Sequence, residues 1–466
     1  LKVLEGENEQ TLNRQLMLFQ ERVLPDLHNN IKCGNSLIGP DFYHGKQMPL
    51  FDDEEMYRIN AFDWEAEFPE IMKNGGFDTV IGNPPYGAWF QTDENIYFSK
   101  QYKVFGNIKD VYICFMEKGI ILLKDQGKLS FIVPSAWLGG PQYYELRTLL
   151  LRKQIEFIIQ MPFDVFSNAY VDTAIVVFSN QYPDSKHNVL TYVFNKREKL
   201  NSIELSIDKY KFVLQNDWKI TDDHKFVLDP ETVSIMQHLK SNCPRTVKDV
   251  ALMKRGVLFD KSILRDSKDS NNYFRYFEGN VYRYQINMIA NQWVEFSNKM
   301  KERPKEFSWF EGERLLLRRL VNRRQQLMSI LTTETFITNK NLYTIKTRDN
   351  SIGIRVLLGI INSKLFSFLY LKQVTQATKD DFPQVTIKDF LSLPFPSEIV
   401  INKKEQLVSL VEHMVNLHKQ LVIAKLPQKK TVLNRQIEAT DRQIDELVYE
   451  LYGLTEEEIK IVESGV

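Results

Sequence analysis

Cysteine is scarce in this sequence, with three residues in 466, at positions 33, 114 and 243. An odd number of widely spaced thiols makes neither a disulfide framework nor a zinc site. It favours buried free thiols in a reducing, cytoplasmic setting. Histidine is also sparse: there are seven, none closely paired and no His-Glu-x-x-His, so no metal centre is expected. A phosphate-binding Gly-Lys-Ser/Thr loop and a Gly-x-Ser-x-Gly nucleophile elbow are both missing, which excludes the chemistries built on them. No apolar run approaches the roughly 18 residues of a membrane span. No secretory leader is visible at the start, and no membrane partner is expected.

What is present is enough apolar residue, 43%, for sizeable cores. The length of 466 residues suits two to four domains of about 150 residues each. Charge is balanced, 60 basic against 60 acidic residues, but unevenly laid out. Residues 1–75 hold 7 basic and 14 acidic residues, whereas residues 245–348 hold 21 and 11. A neutral chain with one basic segment has the footprint of a localised nucleic-acid contact, although a solvated surface reads the same way.

The most informative stretch is Phe77-Asp78-Thr79-Val80-Ile81-Gly82-Asn83-Pro84-Pro85-Tyr86. Its apolar run, bounded by Gly82, reads as a buried strand. Two prolines then stop the strand and fix the backbone, holding the Asn83 side chain and nearby carbonyls at the C-terminal edge. In open α/β sheets ligands bind at that edge. Fixed acceptors beside an aromatic face suit a planar, amino-bearing base. Adenine's exocyclic amine is a poor nucleophile because its lone pair is delocalised into the ring. Acceptors at the Asn83 side-chain oxygen and the Pro84 carbonyl would each take an N–H and localise that pair. Tyr86 would stack on a base rotated out of the duplex. The bland alternative is a proline-rich loop after a strand.

These residues resemble the hallmark of the N6-adenine DNA methyltransferases, Asn/Asp-Pro-Pro-Tyr/Phe/Trp. The N4-cytosine enzymes usually carry Ser at the first position, so Asn83 favours adenine. More of the chain is similar to the fused, type IIG-like restriction–modification methyltransferases. Ile31-Lys32-Cys33-Gly34-Asn35-Ser36-Leu37-Ile38 looks like the segment upstream of their catalytic strand. Phe62-Asp63-Trp64 through Phe68-Pro69-Glu70 looks like the lead-in to it. Asp110-Val111-Tyr112 with Phe115, then residues 127–135, resemble the helix and strand that follow.

The resemblance implies S-adenosyl-L-methionine as cofactor and double-stranded DNA as partner. It implies Asn83, Pro84, Pro85 and Tyr86 as catalytic residues. Asn35 and Ser36 match the segment near the cofactor's adenosine, where relatives often have Asp at the first position. Residues 165–177 resemble the late motif whose Phe, here Phe166, packs on the flipped base together with Tyr86; an ordinary core aromatic before a strand is the alternative. Asp78 is a cap or hinge candidate.

Three regions follow from the pattern. In residues 1–195, strands at 79–82, 128–134, 155–160 and 173–179 alternate with helices at 10–21, 111–123 and 142–151, an α/β arrangement suited to a largely parallel sheet. By resemblance this is the C-terminal part of a Rossmann-like methyltransferase domain. Residues 196–400 resemble an α+β target-recognition domain, carried by Leu358-Gly359-Ile360-Ile361-Asn362-Ser363-Lys364-Leu365 and by Asp381-Phe382-Pro383-Gln384-Val385-Thr386-Ile387 leading to Leu393-Pro394-Phe395-Pro396. Residues 401–466 have two apolar helical runs broken at Pro427, which gives an antiparallel helical hairpin. DNA-contacting candidates are Lys254 and Arg255, before a Gly256 that permits close backbone approach, and the cluster Arg314, Arg318, Arg319, Arg323 and Arg324. Some of these arginines are also placed to pair with Glu311 and Glu313.

No Gly-rich loop with a following acidic residue precedes Asn83, and the first residue is Leu. By resemblance the chain is expected to be a C-terminal fragment, with most of the cofactor site, and an upstream nuclease domain, in a longer polypeptide. Glu458-Ile459-Lys460 has the short form of a nuclease pattern but reads as a solvated helix face. The expected function is site-specific adenine-N6 methylation in a restriction–modification system. The alternatives are a non-catalytic DNA-specificity module, or the methylation and specificity part of a bifunctional restriction endonuclease.

Overall fold

In a computed structural model, residues 30–465 are described except 45–52, 88–89, 107–109, 163–164, 167–170, 195–208, 269, 323, 349–351 and 374–383. The expected helix at 10–21, Arg323 and residues 381–383 therefore lie outside the described residues. The chain divides into two compact units, residues 1–80 with 87–128, and residues 81–86 with 129–466. The division runs through two strands, Phe77–Gly82 (β1) and Leu123–Pro134 (β2).

In the first unit an aromatic knot seats the start of β1. Asp63 caps the helix Trp64–Glu67 by accepting the Glu65 and Ala66 N–H groups, and Pro69 opens the helix Pro69–Lys73, where its missing N–H costs nothing. The Trp64 ring stacks on Phe68 at 5.9 Å, and Phe77 meets Phe68 edge-on at 5.4 Å. The expected lead-in at residues 62–70 thus acts by aromatic packing. Asp78 is an exposed strand residue paired with Lys124, and that ammonium holds its carboxyl below the usual range. It lies inside β1 rather than ahead of it.

Strands Gln154–Gln160 (β3), Thr173–Ser179 (β4), Asn188–Val193 (β5) and Lys211–Leu214 (β6) complete a six-stranded sheet in the order β1-β2-β4-β3-β5-β6. The sheet is mixed rather than largely parallel. β3 runs parallel to β5 but antiparallel to β4, and β5 runs antiparallel to β6. No helix is described between β3 and β4, and strands without a crossover helix pair antiparallel. The sheet also extends past residue 195, through β6. Residues 215–229 still belong with it: Phe226 stacks on Trp218 at 4.2 Å and meets Trp137 edge-on at 5.5 Å. Such aromatic pairs add about 0.5–1.5 kcal/mol each beyond their buried area.

Among its described residues, the second unit holds three further sheets. Ala251–Arg255 (β8), Arg314–Arg318 (β11), Ser329–Thr332 (β12) and Leu342–Thr347 (β14) form one in the order β12-β11-β14-β8. Tyr273–Tyr282 (β9) and Gln285–Glu295 (β10) form a hairpin joined by Ile337–Thr338 (β13). Arg245–Thr246 (β7) pairs with Pro394–Phe395 (β15).

Helices Ile401–Ile423 and Pro427–Tyr452 form the expected hairpin, with Pro427 at the first helical position and Gly453 in a left-handed cap. Leu407, Val411, Ile444 and Val448 share one core with Leu315 and Ile345 of the four-stranded sheet and with Leu357 and Leu358 of the helix Ile354–Asn362. The hairpin is therefore packed onto the four-stranded sheet and the helix Ile354–Asn362. Glu458 is not on a solvated face. It closes a capping box with Thr455 at the start of the helix Glu456–Ser464 and accepts from His238 Nδ1 at 2.7 Å.

Candidate active site and nucleic-acid interface

β1 delivers Asn83 to its C-terminal end. Asn83 and Pro85 are exposed, Pro84 is buried and Tyr86 is half-buried. With no N–H on either proline, this segment cannot extend the strand ladder. Phe131 of β2 lies against Gly82: a Cβ at that glycine would sit 3.1 Å from the ring. A side chain at this position would require the Phe131 ring to give way by a few tenths of an ångström.

Tyr86 and Phe166 come together although the sequence separates them widely. Their ring centroids lie 6.3 Å apart with planes at 56°. Both are half-buried, so each ring keeps an accessible part. A tilted aromatic pair at a strand end offers one face for stacking and one edge for lateral contact with a flat ring.

Behind the motif, Gly87 adopts a left-handed conformation (φ 70°), and its N–H donates to the Asp110 carboxylate at 3.3 Å. The same carboxylate takes the Tyr112 N–H at the start of the helix Tyr112–Leu122. Burial pushes the Asp110 pKa up, and these two N–H groups oppose the shift. Asp110 thus holds the turn at Gly87, the residue that follows Tyr86 in the chain.

Asn35 and Ser36 lie in the first unit. Asn35 Oδ1 accepts the Leu37 N–H at 3.2 Å, and its own N–H donates to the Asn60 carbonyl at 2.7 Å. The Ser36 carbonyl accepts from the Trp64 indole at 3.1 Å. The groups left for a ligand are the Asn35 amide N–H₂ and the Ser36 hydroxyl. These fit a polar contact to an adenosine edge; neither supplies a partner for the charges of an amino-acid moiety.

The basic candidates separate into two groups. In the four-stranded sheet Arg318 stands opposite Leu342, and Arg255 opposite Tyr343. The C-terminal ends of β8 and β11 therefore meet at one edge. That edge gathers Lys254, Arg255, Arg318, Arg319 and, in the following turn, Arg324. Lys254 and Arg324 are exposed, and Arg318 and Arg319 are half-buried. Arg255 donates to the Lys340 carbonyl at 3.0 Å and lies 3.5 Å from Glu302. Gly256 does permit a close approach, but to the chain itself: a Cβ there would lie 2.2 Å from the Asn339 carbonyl oxygen.

Arg314 is removed from the cluster. It lies at the opposite end of β11, fully buried, donating to the Gly312 and Glu334 carbonyls at 3.0 and 2.7 Å with Phe336 5.0 Å away. Burial lowers its pKa to about 10. Of the acidic neighbours, Glu313 pairs with Arg355 at 2.9 Å, and the Glu311 charge acts on the buried Arg314.

Residues 7–166 match the Eco57I restriction-modification methylase family, and residues 274–395 match the TaqI-like C-terminal specificity domain. The chain is 34% identical over 409 residues to the putative type II restriction enzyme and methyltransferase RM.MjaORFECS2P of Methanocaldococcus jannaschii, covering 86% of this chain and 33% of that protein. It is 27% identical over 298 residues to the type II restriction enzyme and methyltransferase RM.Eco57I of Escherichia coli, covering 61% and 27%. The chain thus spans a third or less of the length of these two curated relatives. The type IIL restriction-modification enzyme MmeI, solved in complex with DNA, superposes with a TM-score of 0.57 at 12% identity, over 87% of this chain and 58% of that one. That likeness is one of fold.

Proposed function

We propose that this chain, whose segments match the Eco57I restriction-modification methylase family and the TaqI-like C-terminal specificity domain, holds the target-base side of a site-specific adenine-N6 DNA methyltransferase. The observation that carries this reading is the Tyr86–Phe166 pair beside Asn83 at the end of β1.

In this reading the basic edge of the four-stranded sheet holds the duplex backbone, because Arg and Lys neutralise phosphates and release counterions. An adenine rotated out of the helix stacks on Tyr86, with Phe166 against its side. The Asn83 side-chain oxygen and the Pro84 carbonyl accept the two amino hydrogens, drawing the nitrogen toward tetrahedral geometry. Asp110 holds the turn at Gly87, so the backbone that leaves Tyr86 is fixed before the base arrives. S-adenosylmethionine, when bound, supplies the methyl group and its own leaving group. Asn35 and Ser36 would meet its adenosine edge.

The test is a map of adenine methylation in DNA from cells expressing the polypeptide that carries this chain. A single methylated motif that disappears with Asn83→Ala supports the assignment. An unmodified genome, with protein folded and expressed, moves the reading to a DNA-specificity module without catalysis. That second reading draws on the commitment of the Asn35 oxygen to its own turn. Cleavage of unmodified DNA by the same polypeptide would establish the bifunctional form that the names of both relatives describe.

A further inference from the structure

The segment 221–229 is fastened to the methylase-type sheet. The Phe226 N–H donates to the Leu138 carbonyl at 2.8 Å. Arg147, fully buried, donates to the Asp223 carbonyl at 2.9 Å and to the Trp137 and Gly140 carbonyls at 2.6 and 2.8 Å. One side chain of this segment points the other way. Lys225 Nζ donates to Asp389 Oδ1 at 2.8 Å, with side-chain exposures of only 2% and 4%. Asp223 approaches the same ammonium at 3.9 Å.

Asp389 sits in the helix Ile387–Leu391, and the hydroxyl of its N-cap Thr386 donates to the second Asp389 oxygen at 2.7 Å. Immediately upstream, Gln384 and Val385 are tied to the basic edge. Arg319 donates to Gln384 Oε1, and the Val385 N–H donates to the Arg319 carbonyl at 2.7 Å. The buried pair is therefore the joint between the sheet fastened at Leu138 and the segment that holds Arg319.

We propose that Lys225 and Asp389 form a positioning pair that fixes the basic edge of the recognition sheet relative to the catalytic sheet. This rests on the reading above that the edge binds DNA. Desolvating both charges is costly and their attraction roughly offsets it, so the pair adds little stability over an apolar contact of equal volume. What it adds is direction. An ammonium held between Asp389 and Asp223 has one favourable seat, whereas an apolar contact tolerates sliding. A flipped adenine must reach Tyr86 while its flanking sequence sits on the recognition sheet, so a drifting joint would spoil transfer without spoiling binding.

The test replaces both charges at nearly constant volume, Lys225→Met with Asp389→Leu. Spin labels are placed at Tyr182→Cys and Lys340→Cys, both exposed, in a Cys33→Ser background. The wild-type pair is expected to give one narrow distance distribution, and the double variant one about twice as wide. In the polypeptide that carries this chain, kcat for methylation is expected to fall about tenfold while KM for DNA changes less than about threefold. An unchanged width with unchanged kcat overturns the proposal and leaves the pair as filling. Asp389→Asn, which keeps the acceptor for Thr386, is the second variant should the double one fail to fold, and it is expected to broaden the distribution less. If no methylation is found even in the wild type, the function is wrong, but the distance measurement still decides the joint.

Discussion

Tyr86 and Phe166 place two aromatic rings 6.3 Å apart at the end of the strand that carries Asn83. Stacking of a base on an aromatic ring is worth about 1–3 kcal/mol. Tyr86→Ala is therefore expected to lower kcat/KM for methylation by about one to two orders of magnitude, with Tyr86→Phe nearly normal. Phe166→Ala is expected to cost less, because it meets the base from the side. A 2-aminopurine placed at the target position reads the effect directly: its fluorescence should rise on binding, and rise further when Tyr86 no longer stacks on it.

Asp110 gives a second handle on the same turn. Asp110→Ala frees the Gly87 and Tyr112 N–H groups together. The expected result is a loss in kcat of about tenfold or more with little change in DNA affinity, and partial recovery in Asp110→Asn, which keeps one acceptor. A fall in DNA affinity of the same size would place Asp110 in DNA binding instead.

The arginines should divide as the structure divides them. Arg324→Ala is expected to weaken binding to all DNA sequences alike and to reduce the slope of log affinity against log salt by about one. Arg314→Met leaves two backbone carbonyls without their donor and is expected to cost about 1–3 kcal/mol of stability. Once the protein is folded, the salt slope should be unaffected. Equal salt slopes in the two variants would refute the division.

Stability should depend on pH through Asp445. Burial raises its pKa to about 7, with the nearby Asp441 adding to the rise; the Lys364 N–H, accepted at 2.8 Å, and Arg283 oppose it. A carboxyl that stays protonated in the folded state gives up its proton on unfolding. Its contribution is therefore complete below about pH 4 and is lost as pH rises through about 7. Asp445→Asn mimics the neutral form and keeps the acceptor. It should match the wild type at pH 4 and melt higher at pH 8, and equal melting curves at both pH values would contradict the assignment.

The extent of β1 was legible because everything needed for it is local, but its expected burial was not met: no residue of β1 is buried and Ile81 is 81% exposed. An apolar run, a glycine and two prolines specify a strand and its stop without reference to the rest of the chain. The helical hairpin was legible for the same reason, since Leu407, Val411, Ile444 and Val448 recur at helical spacing. The burial of Arg314 was not legible. The arginines that follow it, Arg318, Arg319 and Arg324, are half-buried or exposed, and only the pairing of β11 with β12 and β14 shows which end of the strand is inside. Lys225 and Asp389 were invisible in the same way, because 164 positions separate them and nothing local marks either. The mixed sheet escaped prediction because strand direction is set by connections, which periodicity does not report.

The central claim is that Asn83, held at the end of β1, acts on the amino group of a flipped adenine. The most direct measurement is mass spectrometry of nucleosides from a duplex incubated with labelled S-adenosylmethionine and the polypeptide that carries this chain. Asn83→Ala is run beside the wild type, and DNA binding is measured for both. The account predicts labelled N6-methyladenine with the wild type, none above background with the variant, and equal DNA affinity. Label on cytosine, or undiminished adenine methylation by the variant, would contradict it.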